Sequence, residues 1–494
     1  MDQPAMTTNQ EKESLRTQVR NAVIWRSGSQ IGAQLIQWLA TFLVIRILNP
    51  ADYGLYSMTQ VILVLLTMLN GYGLASGLVQ RKEISREQVA QLFGMLLLIN
   101  GGLALVQLIG APLAAAYYRQ PIVTDMLRVQ ALLYLTTPFI ALPYALLARE
   151  MDFRKQAKVN IASSIASAST ALGGALAGLG VWTLVFAPLV FFATRAIGMS
   201  IAARWLIRPS FDFRGAGGLM RYGVLMTLGS FFWFIESQAD IFIAGRHFSA
   251  RELGLYSTAL FLTQIFVSKF VPPLNEVAFS AYARIQHDKA AVALGFTRAA
   301  GAIMLAAMPF YMGLATTAVP LVETVLGAKW APAAPIVQLL ALAMPFMTIQ
   351  VLFAPACEAC GRPGIGVENG ATGALILGIA YLIGVHWGPT GLAWSWIAAY
   401  PLYLAISIWR SLPVLGVTLS RLIDAIAPAV LAAIAMAGVV LLVDRALPPM
   451  VPPARLAILV ASGAAVYAAL LAIFARQRLA DLVALIRREP LQQL

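Results

Sequence analysis

The sequence predicts an all-α integral membrane protein with about 14 transmembrane helices, built as two pseudo-symmetric six-helix lobes followed by two extra C-terminal helices. Three observations support this prediction. The 494 residues are 60% hydrophobic and 12% charged, with a mean hydropathy of +0.76, well outside the range of soluble domains. Apolar runs long enough to cross a bilayer recur along the chain. Finally, the two halves of the chain share polar residues in register.

The apolar runs define the predicted spans, since crossing the hydrocarbon core takes about 20 residues of helix. Short polar segments separate them, and no segment on the side opposite the termini exceeds about 20 residues. The predicted spans cover residues 23–45, 56–78, 90–115, 127–148, 159–179, 182–203, 218–245, 255–282, 293–315, 334–357, 367–385, 391–409, 423–443 and 456–475.

The distribution of basic residues predicts the orientation. Of the 35 Lys and Arg residues, 26 lie on the side that holds both termini, 8 lie on the opposite side, and Lys269 falls within span 8. Because basic residues that flank spans stay in the cytoplasm, we expect both termini there. The net charge of +13 therefore reflects topology. We expect no nucleic-acid partner, since no cytoplasmic loop is long enough to form a binding domain.

An internal repeat predicts two related lobes. The segment ADYGLYS at 51–57 returns as RELGLYS at 251–257, and 130–155 matches 338–363 with Gln, Glu and Arg residues in register. Apolar segments match by chance, but polar matches at two separate places argue against coincidence. The repeat shifts the chain by six spans, an even number, so the two halves have parallel topology.

The repeat also sets the predicted domain organisation. Two lobes with a seam between them suit a transporter, because a site at the seam can open to either side in turn. A membrane glycan polymerase or ligase would need a sizeable extracytoplasmic loop, and a purely structural protein would need no ionisable groups in its spans.

The predicted parts are an N-terminal cytoplasmic amphipathic segment (1–20), the N-lobe (21–205), a cytoplasmic linker (206–217), the C-lobe (218–410), spans 13 and 14 (420–475) and a cytoplasmic tail (476–494).

Four segments in this order carry a family resemblance. They are VIRILNPADYGLYS after span 1, IAGRHFSARELGLYS after span 7, the loop VLGAKWAPAAPI, and RLIDAIAPAVL opening span 13. The chain, from about residue 15 to 480, resembles the Wzx-type oligosaccharide flippases. These belong to the multidrug/oligosaccharidyl-lipid/polysaccharide exporter superfamily, which also contains the lipid II flippases and the multidrug and toxin extruders.

The resemblance implies a multi-pass protein of the bacterial inner membrane, with spans 1–6 facing spans 7–12 around a V-shaped central cavity. It implies translocation of undecaprenyl-pyrophosphate-linked oligosaccharide repeat units by alternating access, for exopolysaccharide, capsule or O-antigen synthesis. Expected partners are this substrate, membrane lipid, and a polysaccharide polymerase and chain-length regulator. We expect no enzymatic activity, catalytic residue, metal or cofactor, whereas proton or sodium coupling stays open. An ion-coupled multidrug exporter is the alternative within the superfamily.

Span 1 offers a polar face for such a substrate. Gln30, Gln34 and Gln37 are spaced by three and four residues, so they share one side of a helix. Arg26 near the cytoplasmic end could bind the anionic substrate or reach the lipid headgroups instead. Arg46 and its repeat mate Arg246, at the far ends of spans 1 and 7, are interpreted as pyrophosphate contacts or as interfacial anchors.

Span 7 carries Glu236 and Asp240, four residues apart on one face. Two carboxylates in one span are costly, which predicts a functional role in binding or releasing a proton or sodium ion. The alternative is a static ion pair with an arginine or lysine of the facing lobe.

Span 8 carries Lys269 and Glu276, with Pro272 and Pro273 between them. The prolines remove two backbone donors and predict a broken or bent helix, a common feature of transporter binding sites. Lys269 is a candidate for substrate binding and Glu276 for ion coupling, while a buried salt bridge between them is the alternative. Arg298, at the cytoplasmic end of span 9, is a further substrate-binding candidate.

Other features offer little functional signal. Cys357 and Cys360 form a lone C-x-x-C, which lacks the second ligand pair of a zinc site. The histidines His247, His287 and His386 fall in separate loops, so the sequence predicts no metal cluster. No phosphate-binding P-loop motif occurs, so we expect no ATP hydrolysis.

Overall fold

The computed structural model describes residues 28–71, 85–149, 153–204, 207–212 and 217–474, with side chains for all of these except 217–230 and 474. Within these ranges the chain forms helices joined by short turns and contains no β-strand. It divides into two compact units, unit 1 (Met1–Phe231) and unit 2 (Phe232–Leu494). The prediction for the N-terminal segment 1–20 and the tail 476–494 lies outside the described residues, and the predicted lobe boundaries stay predictions.

Unit 1 contains the helices of the first six predicted spans. The fourth span is a series of three helices. The last of them begins at Pro138, which has no N–H to donate to the carbonyl of Tyr134, and that carbonyl accepts from Thr137 instead at 3.1 Å. The helices are α1 (Gly28–Ile47), α2 (Pro50–Thr67), α3 (Arg86–Tyr118), α4 (Ile122–Gln130), α5 (Leu132–Thr136), α6 (Pro138–Arg149), α7 (Phe153–Leu176) and α8 (Val181–Ala202).

Unit 2 contains the helices of the remaining spans, and the boundary between the units falls inside the first of them. Short 3-10 helices at Ala328–Ala333 and Val385–Trp387 precede two of its longer helices. The helices are α9 (Gly217–His247), α10 (Ala250–Ile285), α11 (Lys289–Thr316), α12 (Ala318–Val325), α13 (Ala334–Gln350), α14 (Phe353–Ala359), α15 (Pro363–Gly384), α16 (Gly388–Leu415), α17 (Leu419–Ala446) and α18 (Pro452–Phe474).

These helices confirm the all-α membrane fold. In the described part of the chain, 11 helical stretches are long and apolar enough to cross a membrane. One of them, Pro363–Leu415, contains two predicted spans, and α2 and α9 supply the remaining two. Each of the predicted spans therefore overlaps a helix or a helix series.

The repeated phrase lies at the start of a helix in each unit, before most of the predicted span. In α2, the backbone N–H of Asn49 donates to the carboxylate of Asp52 at 3.0 Å. In α10, the N–H of Ser249 donates to Glu252 at 2.9 Å, and the Ser249 hydroxyl accepts from the Glu252 N–H at 3.3 Å. The acidic residue satisfies donors that a helix start leaves free, so both helices begin several residues earlier than predicted.

The double proline does not interrupt its helix. Helix α10 runs from Ala250 to Ile285 through Pro272 and Pro273, so the predicted break is wrong. Two prolines remove two backbone hydrogen bonds, but the helix of 36 residues continues through them, and the predicted bend stays a prediction.

Close packing of adjacent helices shapes the interior of unit 1. Helices α7 and α8 form an antiparallel pair, and a Cβ atom at Gly198 would lie 2.8 Å from the side chain of Val159. The Ser167 hydroxyl on α7 donates to the carbonyl of Ala187 on α8 at 3.0 Å. Small and polar residues thus bring these two helices close together, which fixes the cavity wall described below.

Candidate functional site

Unit 1 contains an open cavity of about 530 Å³ among α1, α6, α7 and α8. Apolar and aromatic side chains share its wall with amides and hydroxyls, and the described lining residues include one arginine and no carboxylate. The lining residues are Ser29, Gln30, Ala33, Gln34, Gln37, Tyr144, Phe153, Gln156, Ala157, Asn160, Ser164, Ser167, Pro188, Phe191, Phe192 and Arg195.

The cavity wall follows helical periodicity. The structure places the predicted polar face of α1, Gln30, Gln34 and Gln37, along the cavity. On α7, polar residues spaced by four or three positions present a second face, which includes Asn160 and Ser164. Two polar stripes from different helices therefore meet at one space inside the unit.

Some amide side chains of this wall form hydrogen bonds within the protein, and others do not. The Gln156 amide donates to the carbonyl of Tyr144 at 3.1 Å. In contrast, Gln34, Gln37 and Asn160 make no side-chain hydrogen bond to the described part of the chain. Their amides can donate to and accept from water or a ligand that carries hydroxyl groups.

Arg195 supplies the positive charge of the cavity. It lies on α8, seven residues before the helix ends, and its guanidinium carbon is 6.0 Å from the centre of the Phe191 ring. Its Nε is buried and has no hydrogen-bond acceptor among the described residues. The guanidinium group is therefore available to a negatively charged ligand.

In the described part of unit 2, aromatic residues surround two acids of α9. Asp240 on α9 has 1% of its surface exposed. Its carboxylate accepts from the Tyr256 hydroxyl at 2.7 Å and from the Ile241 N–H at 2.7 Å. The Trp396 indole N–H in turn donates to the Tyr256 hydroxyl at 2.9 Å. Tyr256 is the tyrosine of the repeated phrase, so this segment also builds the acid's environment.

Glu236 lies one helical turn before Asp240 and has a similar partner. Its carboxylate accepts from the Tyr403 hydroxyl at 3.2 Å, and that hydroxyl also accepts from the Gln350 amide. A Cβ at Gly373 would lie 2.5 Å from the Tyr403 ring, so glycine is needed for the ring to reach this position.

A row of aromatic rings connects the two acids. Trp396 stacks on Tyr400 with ring centres 5.1 Å apart, and Tyr400 lies 5.9 Å from Tyr403. Both carboxylates thus have neutral donors, and the described residues supply neither with a lysine or arginine. A buried carboxylate without a cationic partner is costly, so this arrangement can hold a proton or a small cation. The static ion pair considered from sequence is absent among the described residues.

The structure does not gather the predicted basic residues into one cluster. Arg26 lies outside the described residues. Arg46 and Arg246 are each the penultimate residue of their helix, α1 and α9, as the repeat predicts. Arg298 is exposed on α11. The role of these residues in substrate binding stays a prediction.

Lys269 and Glu276 lie on exposed positions of α10. They form no ion pair with each other, and neither has a charged partner among the described residues. The buried salt bridge considered from sequence is therefore wrong, because both side chains face outward from unit 2 and are not enclosed by it.

Two parts of the site escaped the sequence analysis. Arg195 is not among the predicted site residues, although its place well inside span 6 is a signal for a functional charge. Tyr256, Trp396 and Tyr403 were indistinguishable from the apolar residues around them, since burial of a tyrosine hydroxyl against an acid requires tertiary contacts.

The histidines and cysteines differ in outcome. His247 and His386 come from separate loops, but their ring centres lie 6.0 Å apart. The ends of α9 and α15 therefore meet within unit 2, and the prediction that the histidines form no metal cluster stays a prediction. Cys357 is buried and Cys360 half-buried, and both are free thiols.

Comparisons with known proteins agree with this architecture. The chain is 28% identical over 352 residues to the succinoglycan biosynthesis transport protein ExoT of Rhizobium meliloti, covering 71% of each chain. It is 22% identical to the teichuronic acid biosynthesis protein TuaB of Bacillus subtilis, covering 93% of this chain and 96% of the relative. It is also 24% identical to the lipopolysaccharide biosynthesis protein WzxC of Escherichia coli, covering 63% of each chain.

Solved structures share the fold at low sequence identity. The lipid II flippase MurJ in an inward closed conformation matches with a TM-score of 0.75 and 14% identity, covering 92% of this chain and 99% of MurJ. An inward-facing MATE-family multidrug resistance transporter matches with a TM-score of 0.59 and 15% identity, covering 77% of this chain and 95% of the transporter. The family model described as "Polysaccharide biosynthesis protein" matches residues 43–335, which is more than half of the sequence. The chain belongs to this polysaccharide biosynthesis protein family.

Proposed function

We propose that this protein is a flippase that translocates lipid-linked oligosaccharide repeat units across the bacterial inner membrane by alternating access. The observation that carries the proposal is the cavity of unit 1. It lies between helices, most of them long enough to span a membrane, and is lined by an arginine and by amides without a hydrogen-bond partner among the described residues. A glycan needs hydroxyl partners, and its carrier phosphates need a positive charge. Family membership and the named relatives support the same substrate class.

The carrier is expected to be undecaprenyl pyrophosphate, and both termini are expected in the cytoplasm. In this proposal the chain transports and does not catalyse a bond change. A polysaccharide polymerase and a chain-length regulator are its proposed protein partners. The basic residues Lys269, Arg298, Arg46 and Arg246 remain proposed contacts for the diphosphate along the path.

The acids of unit 2 are the proposed coupling site. Glu236 and Asp240 are held by neutral tyrosine hydroxyls, so binding of a proton or a sodium ion would relieve their charge. Release of that ion on the other side of the membrane could then drive the conformational cycle. Glu276, exposed on α10, is a less enclosed candidate for the same role.

The buried acids also favour a second candidate function, an ion-coupled multidrug exporter, since acidic pockets suit organic cations. The two functions differ in the charge of their cargo. Unit 1 offers its cargo an arginine and no carboxylate among the described lining residues, which favours the flippase.

The test is transbilayer movement of a fluorescent undecaprenyl-pyrophosphate oligosaccharide in proteoliposomes, measured by its accessibility to an external glycan-cleaving enzyme. A lipophilic cation serves as the competing cargo, with and without a proton or sodium gradient. Movement of the oligosaccharide, and acceleration by a gradient, is the expected result. Movement of the cation alone would replace the flippase with the exporter. Lys269→Ala should abolish oligosaccharide movement without loss of folded protein, and normal movement would remove Lys269 from the path.

A further inference from the structure

Three arginines in helices of this protein can be compared by the acceptors that the chain gives them. Arg455 donates to Asp444 at 2.7 Å, and to the carbonyl of the same residue at 3.0 Å. Arg410 donates to the Thr372 hydroxyl at 2.6 Å and lies 3.9 Å from the Glu368 carboxylate. The chain therefore supplies both guanidinium groups with oxygen acceptors, including a carboxylate.

Arg195 lacks such a partner, although it occupies a corresponding helix pair. Helices α7 and α8 are spans 5 and 6 of unit 1, and α15 and α16, which carry Glu368 and Arg410, are spans 11 and 12. In unit 1, the described wall around Arg195 offers amides, hydroxyls and phenyl rings, and its Nε is buried without an acceptor. A buried donor without an acceptor is costly, so the Nε–H of Arg195 needs a partner that water or a bound ligand can supply.

The surroundings of Arg195 define the chemistry of that ligand. A guanidinium group binds a carboxylate or a phosphate through two parallel hydrogen bonds, and burial strengthens the pair. The amides of Gln34, Gln37 and Asn160 are free to bind hydroxyl groups in the same cavity. About 530 Å³ is the size of a small-molecule pocket, so the cavity holds a part of a lipid-linked oligosaccharide, and the remainder must lie outside it.

We propose that the cavity of unit 1 is an oxyanion subsite, in which Arg195 binds a negatively charged group of the oligosaccharide substrate while the free amides bind its hydroxyls. The proposal rests on the proposed flippase function. The oxyanion can be a sugar carboxylate or the diphosphate of the lipid carrier, and both present the same oxygen geometry to a guanidinium group.

The test uses the full-length protein in proteoliposomes with two probes. One is an undecaprenyl-pyrophosphate oligosaccharide that contains a uronic acid, and the other is the same molecule with the carboxylate reduced to an alcohol. Arg195→Gln should lower the rate for the uronic acid probe by about tenfold or more, since a charge-assisted pair is lost. Arg195→Lys, which keeps the charge, should recover part of this rate. The matched control Arg455→Gln should leave both rates within about twofold of the unchanged protein.

The two probes identify the source of the oxyanion. A loss confined to the uronic acid probe assigns Arg195 to the sugar carboxylate, and an equal loss for both probes assigns it to the diphosphate. Wild-type rates for Arg195→Gln with both probes would overturn the proposal. If the unmodified protein moves neither probe, the flippase function itself is wrong and the subsite falls with it.

A second variant guards against a folding defect in Arg195→Gln. Asn160→Asp keeps Arg195 and nearly the same shape, but it places a carboxylate in the same cavity. That carboxylate should repel or replace the oxyanion, so movement of the uronic acid probe should fall several-fold while the protein elutes as folded. Unchanged movement by Asn160→Asp, together with unchanged movement by Arg195→Gln, would contradict an oxyanion subsite.

Discussion

Helices α1 and α9 occupy corresponding positions in the two units, 200 residues apart in the sequence, yet they present different chemistry to the interior. Helix α1 lines its cavity with glutamine amides and contributes no charge to the described wall. Helix α9 presents Glu236 and Asp240 to tyrosine hydroxyls. Two helices that begin the same structural repeat thus bind different kinds of group.

The features that the units share are those that set the course of the chain. The acidic residue of the repeated phrase caps α2 through Asp52 and α10 through Glu252. The features that differ are the side chains that face inward. The duplication therefore preserved a scaffold, and its two copies acquired separate tasks, which we propose to be oxyanion binding in unit 1 and ion coupling in unit 2.

We expect the largest effect from removing the charge of one acid in unit 2, which tests whether the two units have different tasks. Asp240→Asn keeps the shape and can still bond to Tyr256, but it no longer gains from binding a cation or proton. We expect gradient-driven movement of the oligosaccharide to fall by about tenfold or more. The measurement is the proteoliposome assay with and without an imposed gradient.

The matched control for Asp240→Asn is Asp444→Asn, which removes a carboxylate that already bonds to Arg455. It should leave the response to the gradient intact. A full gradient response by Asp240→Asn would show that unit 2 does not couple ions, and the proposed division of tasks would fail.

Tyrosine hydroxyls in the two units offer a second contrast. Tyr403 donates to the carboxylate of Glu236, whereas Tyr134 in unit 1 donates to the neutral amide of Gln107 at 2.8 Å. We expect Tyr403→Phe to lower the free energy of unfolding by about 1.5–3 kcal/mol, and Tyr134→Phe by about 0.5–1.5 kcal/mol, since bonds to charged groups are stronger. Denaturation in detergent, followed by fluorescence, measures both. Equal losses would indicate that Glu236 is neutral in the folded protein.

The close approach of α15 to Tyr403 provides a third test. Gly373→Ala should destabilise the protein by about 1–3 kcal/mol, because its Cβ would overlap a ring that two hydrogen bonds hold in place. Gly378 lies on the same helix with open space around it, so Gly378→Ala should be neutral or slightly stabilising. Thermal unfolding of the two variants in the same detergent separates overlap from a general effect of alanine, and equal midpoints would refute the packing argument.

The sequence predicted the helices well and the site only in part, for physical reasons. Bilayer thickness and hydropathy dictate where spans lie, so the fourteen predicted spans overlap helices. Helical periodicity also placed Gln30, Gln34 and Gln37 on one wall. No local pattern shows which distant side chain meets another, so the tyrosine partners of Glu236 and Asp240 were not foreseen. Arg195 was not predicted, because the sequence alone does not show whether an arginine inside a span faces a cavity or extends toward the headgroups.

Substitutions at the helix caps of α2 and α10 should have the smallest effect on stability, and they test directly the helix start that the two units share. Ser249→Ala removes the hydroxyl that accepts from the Glu252 N–H, and Asp52→Ala removes the carboxylate that accepts from the Asn49 N–H at the start of α2. Each should cost about 1 kcal/mol of unfolding free energy, since each leaves backbone donors without a partner. Ser280→Ala, an exposed position on α10, is the control and should cost less than about 0.5 kcal/mol. Oligosaccharide movement should be unchanged in all three variants, because the caps lie outside both proposed sites. A transport defect in one cap variant but not in the other would mean that the repeated phrase contributes to transport as well as to folding in that unit. In that unit, the shared helix start could then no longer be regarded as a purely structural feature.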